Sequence, residues 1–237
     1  MAFLEHLDEL RTRIIRALVA IAIGAVIAFA FISRIVDFVL APARRSLPPG
    51  AVLIYTNPGE GFALYMQVAI MAGLVIASPF VMFEVWRFIA PALYSREKRL
   101  AIPFVVLSSG GLLAGALFSH YVIFPAMISF FGTFSSAQLR FMPRLEDVFD
   151  LYTKMMIGMI AVFQMPTLTF FLAKMRVVTA RFLARHIKYA ILIIFIVAAV
   201  LTPSSDPWNQ TIFAVPMIGL YLLGIVIAWL AAPSDPR

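Results

Sequence analysis

Few residues in this chain could do covalent chemistry, and their spacing gives them no partners. The three histidines, His6, His120 and His186, fall in separate segments and cannot converge on one metal. Cysteine is absent, which excludes thiolate ligands, disulfides and cysteine nucleophiles. There is no glycine-rich phosphate loop and no H-E-x-x-H pair, so nucleotide hydrolysis and zinc proteolysis lack a motif. Ser108 and Ser109 stand beside Gly110 and Gly111 in an uncharged run. Small residues grouped this way let helices approach closely, which is a packing role rather than a nucleophile's. The expectation is a protein that is not an enzyme, with no cofactor and no metal.

Four polar positions remain worth weighing. Gln164 lies in the middle of an apolar run just before Met165 and Pro166. An amide there must find a partner away from lipid, either within the bundle or on another helix, and both readings stay open. Asp206, between Pro203 and Pro207, is placed to cap the helix C-terminal to it. Glu97 sits among Arg96, Lys98 and Arg99, which by itself reads as a solvated loop. Glu9, with Arg11 and Arg13 after it, reads as an amphipathic lead-in to the first apolar run.

The elements that must position these residues are set by composition. Of 237 residues, 62% are hydrophobic and only 13% charged, where a soluble domain carries about a quarter charged. Apolar runs of about 20 residues cross the ~30 Å hydrocarbon core as helices, and an open sheet would leave backbone groups unpaired in lipid. The reading is an all-α, polytopic integral membrane protein forming a single domain over 1–237. Six spans are expected, at 14–32, 64–83, 101–124, 155–173, 189–201 and 212–230. Arg16 snorkels at the start of the first. Pro125 is expected to end the third span and to turn the residues beyond it into an interfacial helix. The fifth, 13 residues from Tyr189 to Leu201, reaches only ~20 Å. Pro166 and Pro216 are expected to kink the fourth and sixth.

Six spans place the N-terminus, the 84–100 and 174–188 loops and the C-terminus on one side, with 13 of the 19 lysines and arginines. The positive-inside rule then puts both termini in the cytoplasm. The same distribution accounts for the net charge of +7 without nucleic acid. Acidic Glu5, Asp8 and Glu9 ahead of the first run argue against a cleaved signal peptide. Two long outer loops, about 33–63 and 125–153, should form caps. The first is rich in turn formers and flanked by a short amphipathic helix, Arg34–Leu40, with Ile35, Val36, Val39 and Leu40 on one face.

Three segments together carry a family likeness. They are His6-Leu7-Asp8-Glu9-Leu10-Arg11-Thr12-Arg13; Phe88-Ile89-Ala90-Pro91-Ala92-Leu93-Tyr94 with Glu97, Lys98 and Arg99; and Leu201-Thr202-Pro203 with Asp206, Gln210, Ala214, Val215 and Pro216. In this order the chain resembles TatC, the multispanning receptor of the twin-arginine protein translocase. The first segment is similar to that family's H-L-x-E-L-R-x-R and the second to its first-loop F-x-x-P-x-L-Y…E.

The resemblance implies a receptor in the cell membrane that binds the twin-arginine signal peptides of folded proteins, for export driven by the proton-motive force. It implies that Glu97, helped by Glu9, holds the arginine pair, that Phe88 packs near the signal, and that Pro91, Leu93 and Tyr94 shape the loop. Carboxylates suit this task because guanidinium binds them as a planar fork. It also implies a glove-like concave bundle and single-span TatA- and TatB-type partners docking at the fifth and sixth spans. Gln164, Pro166, Asp206 and Gln210 are the candidate contacts, and self-association into a larger complex is expected. Many relatives carry a glutamate where this chain has Gln164, which can hydrogen-bond but not ionise. The competing reading, a small secondary transporter or channel, would need a charged or unwound site near the midplane. No carboxylate is available there to carry it.

Overall fold

The computed structural model describes residues 3–48, 51–89, 101–136, 138–202 and 206–231, and among them it is helical almost throughout. The helices are α1 (Phe3–Phe29), α2 (Ile32–Ser46), α3 (Glu60–Ile89), α4 (Ala101–Phe118), α5 (Phe124–Gly132), α6 (Leu145–Val162), α7 (Met165–Lys174), α8 (Ala180–Arg185), α9 (Ile187–Leu201) and α10 (Pro207–Ala231). Five stretches are long and apolar enough to cross a membrane: Leu7–Phe29, Glu60–Phe88, Ala101–Gly132, Leu145–Lys174 and Pro207–Ala231. The apolar α9 is shorter, at 15 residues. The chain divides into two compact units, Met1–Ala41 with Ile54–Leu113, and Pro42–Leu53 with Ala114–Arg237.

In the first unit, α1 packs along α3. The crossing is made of glycine: a Cβ on Gly73 would lie 2.5 Å from the Ala25 nitrogen and 2.7 Å from the Ile21 oxygen. Only bare backbones come this close, which is the usual device for helices that associate where lipid is as apolar as leucine. Glu60 opens α3 and its Oε1 accepts from Thr56 N, Thr56 Oγ1 and Asn57 N at 3.2, 3.0 and 2.9 Å. A carboxylate in the first turn suits both the orphan N–H groups and the helix dipole. Val36, Val39, Leu40 and Ala43 of α2 are buried at helical spacing, so the amphipathic segment runs on to Ser46 through Pro42.

The second unit is centred on Ile123, Met127, Met155, Met159, Ile194, Ala198, Phe213 and Met217, drawn from the segments around α5, α6, α9 and α10. Here Pro125 does something other than the sequence suggests. The apolar helical stretch continues to Gly132, with Phe124, Met127 and Ile128 buried against the rest of the unit. Between α4 and α5 lies a π turn, Ser119–Ile123, closed by the Phe124 N–H on the Ser119 oxygen. The wider turn relieves the ring clash and the missing N–H that a proline brings into an α-helix. Within it, His120 is buried and shares a 3.1 Å hydrogen bond with the Tyr152 hydroxyl.

The fourth stretch is interrupted at Phe163–Gln164, where the Gln164 N–H reaches back only to Ala161. Pro166 then stands in the first turn of a new helix, where a missing N–H costs nothing. Pro216, by contrast, lies inside the continuous α10. Close contacts again involve glycine: a Cβ on Gly115 would meet the Met159 oxygen at 2.7 Å.

Candidate functional site

The start of α1 and the end of α3 meet, and helix geometry explains which residues face each other. The two helices run antiparallel from the Gly24–Gly73 crossing. Arg13 precedes Gly24, and Glu84 comes after Gly73, by the same interval, which is about three turns at 3.6 residues each. Three whole turns return to the same face, so Arg13 and Glu84 are brought together by the register that packs the glycines.

The contact is an arginine held between two carboxylates. Arg13 Nη1 donates to Glu84 Oε2 at 2.8 Å. Its Nε donates to Glu9 Oε1 at 3.2 Å, and Nη2 donates to the same oxygen. The Glu84 side chain is 4% exposed, that of Arg13 13%, and that of Glu9 23%. Glu84 is thus an acid on the buried face of an apolar helix, a position that is costly unless a cation stays with it. Next to α4, Trp86 is buried and packs on Phe104 with ring centroids 5.1 Å apart.

A pocket of about 380 Å³ opens beside this pair, lined by Asp8, Glu9, Thr12, Arg13, Arg16 and Arg87. Thr12 Oγ1 is turned onto the Asp8 carbonyl at 2.9 Å, and the Arg87 guanidinium lies 5.8 Å over the Phe83 ring. Among the described residues, and counting Glu84, the site holds three carboxylates against three guanidinium groups. Its carboxylates suit planar cations, and Arg13 already occupies two of them.

Of the sequence-expected site residues, Glu9 lines this pocket and Phe88 lies in the last turn of α3, half-buried. Pro91, Leu93, Tyr94 and Glu97 lie outside the described residues. Gln164 and Pro166 stand together at the α6–α7 break, with Gln164 half-buried. Asp206 caps α10: its Oδ1 accepts the Asn209 N–H at 2.8 Å and its Oδ2 the Asn209 side-chain amide at 2.9 Å. Gln210 Nε2 donates to the Phe195 carbonyl of α9 at 2.9 Å, so both residues work on the short connection between α9 and α10.

Sequence reasoning misses Glu84. Ending the second apolar run at Phe83 makes Glu84 a loop residue, whereas α3 carries it inside the helix. The available signal was the apolar residues on both sides of it, Phe83 and Val85-Trp86. Among the described residues, no group of three or more histidines or acids is placed to hold a metal.

Known proteins share this fold. The family profile for the Sec-independent protein translocase protein (TatC) matches residues 5–216. A Sec-independent protein translocase protein TatC of Koribacter versatilis is 41% identical over 240 residues, covering 100% of this chain and 88% of its own. Counterparts of the same name in Desulforapulum autotrophicum and Aquifex aeolicus are 37% and 34% identical, covering 94% and 98% of this chain and 83% and 96% of theirs. A crystal structure of the twin-arginine translocase receptor TatC superposes with a TM-score of 0.80 at 33% identity, over 95% of this chain and 99% of that one. A second, in the detergent DDM, gives 0.81 over 94% and 99%. With this profile across most of its length and these identities over nearly all of it, the chain belongs to the TatC family of Sec-independent protein translocase proteins.

Proposed function

We propose that this protein is the receptor subunit of a twin-arginine translocase, binding signal peptides that carry an arginine pair and handing folded cargo to the export machinery. The observation that carries the reading is the superposition on a solved twin-arginine translocase receptor over 95% of the chain at 33% identity. The cluster at the start of α1 and end of α3 supports it, because it already holds a guanidinium between two carboxylates.

In this reading the chain crosses the cytoplasmic membrane six times, with α9 as the short span and both termini in the cytoplasm. The pocket beside Glu9 then faces the cytoplasm, where signal peptides arrive. Glu97 is the main carboxylate for the arginine pair, Glu9 the second, and Phe88 packs against the signal. Pro91, Leu93 and Tyr94 set the path of the intervening loop. TatA- and TatB-type single-span subunits dock on the α9 and α10 side. Gln164 and Pro166 offer a half-buried amide at a helix break, and Asp206 and Gln210 hold the α9–α10 connection in shape.

The test is a titration of the detergent-purified protein with a fluorescent signal peptide bearing two arginines and with its two-lysine twin. The arginine peptide should bind more tightly, and Glu97→Gln should weaken it by about tenfold, as expected for loss of one charge-assisted hydrogen-bonded pair. Equal binding of the two peptides by a folded protein that is indifferent to Glu97→Gln would refute the receptor assignment.

A further inference from the structure

Arg13 already makes the bonds that an incoming arginine would seek. It is forked between a part-exposed carboxylate at the pocket wall, Glu9, and a buried one behind it, Glu84. The pocket residues and Glu84 balance three acids against three guanidinium groups. Glu9 and Glu84 are already taken by Arg13, so a peptide guanidinium that uses these two carboxylates must displace it. Arg16 and Arg87 line the same pocket and would repel it otherwise.

We propose that Arg13 is an internal stand-in for a signal-peptide arginine: binding is an exchange in which a peptide guanidinium takes over the bonds to Glu9 and Glu84 while Arg13 turns out into the pocket. This rests on the receptor reading and adds two residues to it. At Glu9 and Glu84 the exchange replaces one guanidinium by another and keeps the same hydrogen bonds, so the buried carboxylate is never left unpaired, while the released Arg13 turns towards water. A lysine brings a compact ammonium without the planar fork, and leaves part of a buried carboxylate unsatisfied. Glu84, the more deeply buried partner, is then the residue that sets the preference for arginine over lysine. The alternative is a permanent clamp, in which Arg13 only staples α1 to α3 and orients Glu9.

The two differ in sign. Arg13→Lys keeps a cation on Glu84 but weakens the competitor. Exchange therefore requires the two-arginine peptide to bind this variant more tightly than wild type, by about fivefold for one hydrogen bond lost from the internal occupant. A permanent clamp requires equal or weaker binding, and either result overturns the proposal. Thermal unfolding of the same sample establishes that the variant is folded. Glu84→Gln supplies the second readout: the ratio of two-arginine to two-lysine affinity should fall, and an unchanged ratio removes Glu84 from the specificity site. Wild-type protein that fails to prefer the two-arginine peptide refutes the receptor reading itself. Wild-type preference with weakened binding by Arg13→Lys refutes only the exchange.

Discussion

Glu84 and Arg13 depend on each other across two helices of the first unit. The carboxylate is almost fully enclosed, and its cation comes from a different helix. Arg13→Ala would leave an uncompensated buried charge, which typically costs about 3–5 kcal/mol. The expected result is a clear drop in the thermal unfolding temperature in detergent. Arg13→Lys should lose much less, because the charge stays. At this scale the sequence was legible only in part. Asp206 could be read as a helix cap because a cap needs only local neighbours, and the hydrogen bonds to Asn209 are those of a cap. Glu9 could be singled out by resemblance, but its engagement by Arg13 at one turn's spacing was not anticipated. The apolar neighbours of Glu84 hint that it is buried, but its pairing with Arg13 leaves no local mark because the two lie 71 positions apart along the chain.

The helices are positioned by what they lack. Gly24 and Gly73 let α1 and α3 touch backbone to backbone, and the register set there delivers Arg13 to Glu84 three turns away. Gly73→Val should therefore damage function at a distance. It forces the helices apart, lowers the unfolding temperature and weakens peptide binding although no peptide contact has been altered. Gly110→Ala is the matching control: nothing lies within 4 Å of its Cβ, and replacing a mid-helix glycine gains up to about 1 kcal/mol. Equal effects of the two substitutions on unfolding and binding would show that the crossing does not set the register. Prolines behaved less uniformly than their local rule suggests. Pro166 begins a helix, Pro216 is carried within one, and Pro125 comes just after a π turn that lets the helix continue. The rule states what a proline removes, while the neighbouring turns decide how the loss is absorbed.

For the whole molecule, topology is the property open to direct test. The absence of native cysteine makes single-cysteine labelling unambiguous. Ser136 and Val177 are both exposed, on opposite sides of the stretch Leu145–Lys174. In intact cells with a permeabilised outer layer, a membrane-impermeant maleimide should label Ser136→Cys but reach Val177→Cys only after the cytoplasmic membrane is opened. Labelling of both in closed cells would rule out the six-span arrangement with cytoplasmic termini. The 15-residue α9 reaches about 22 Å, short of the ~30 Å core. As the short span proposed above, it would require the bilayer to thin there or a partner to cover its ends.

The sequence by itself determined the class of this protein. Too little charge to solvate a globule, apolar runs of membrane length and the lack of any catalytic grouping come from composition and short-range spacing, and those are independent of how the helices pack. The three family segments could likewise be read because the residues of each lie close together along the chain. Tertiary structure alone decided that Arg13 and Glu84 meet, that Arg13 takes up Glu9 at the pocket wall, and that a π turn precedes Pro125 in a helix whose Phe124, Met127 and Ile128 are buried. Each of these depends on the register between elements distant along the chain, or on a small adjustment of the turn. Neither leaves a mark in the periodicity of a single helix, because period describes one face and register relates two.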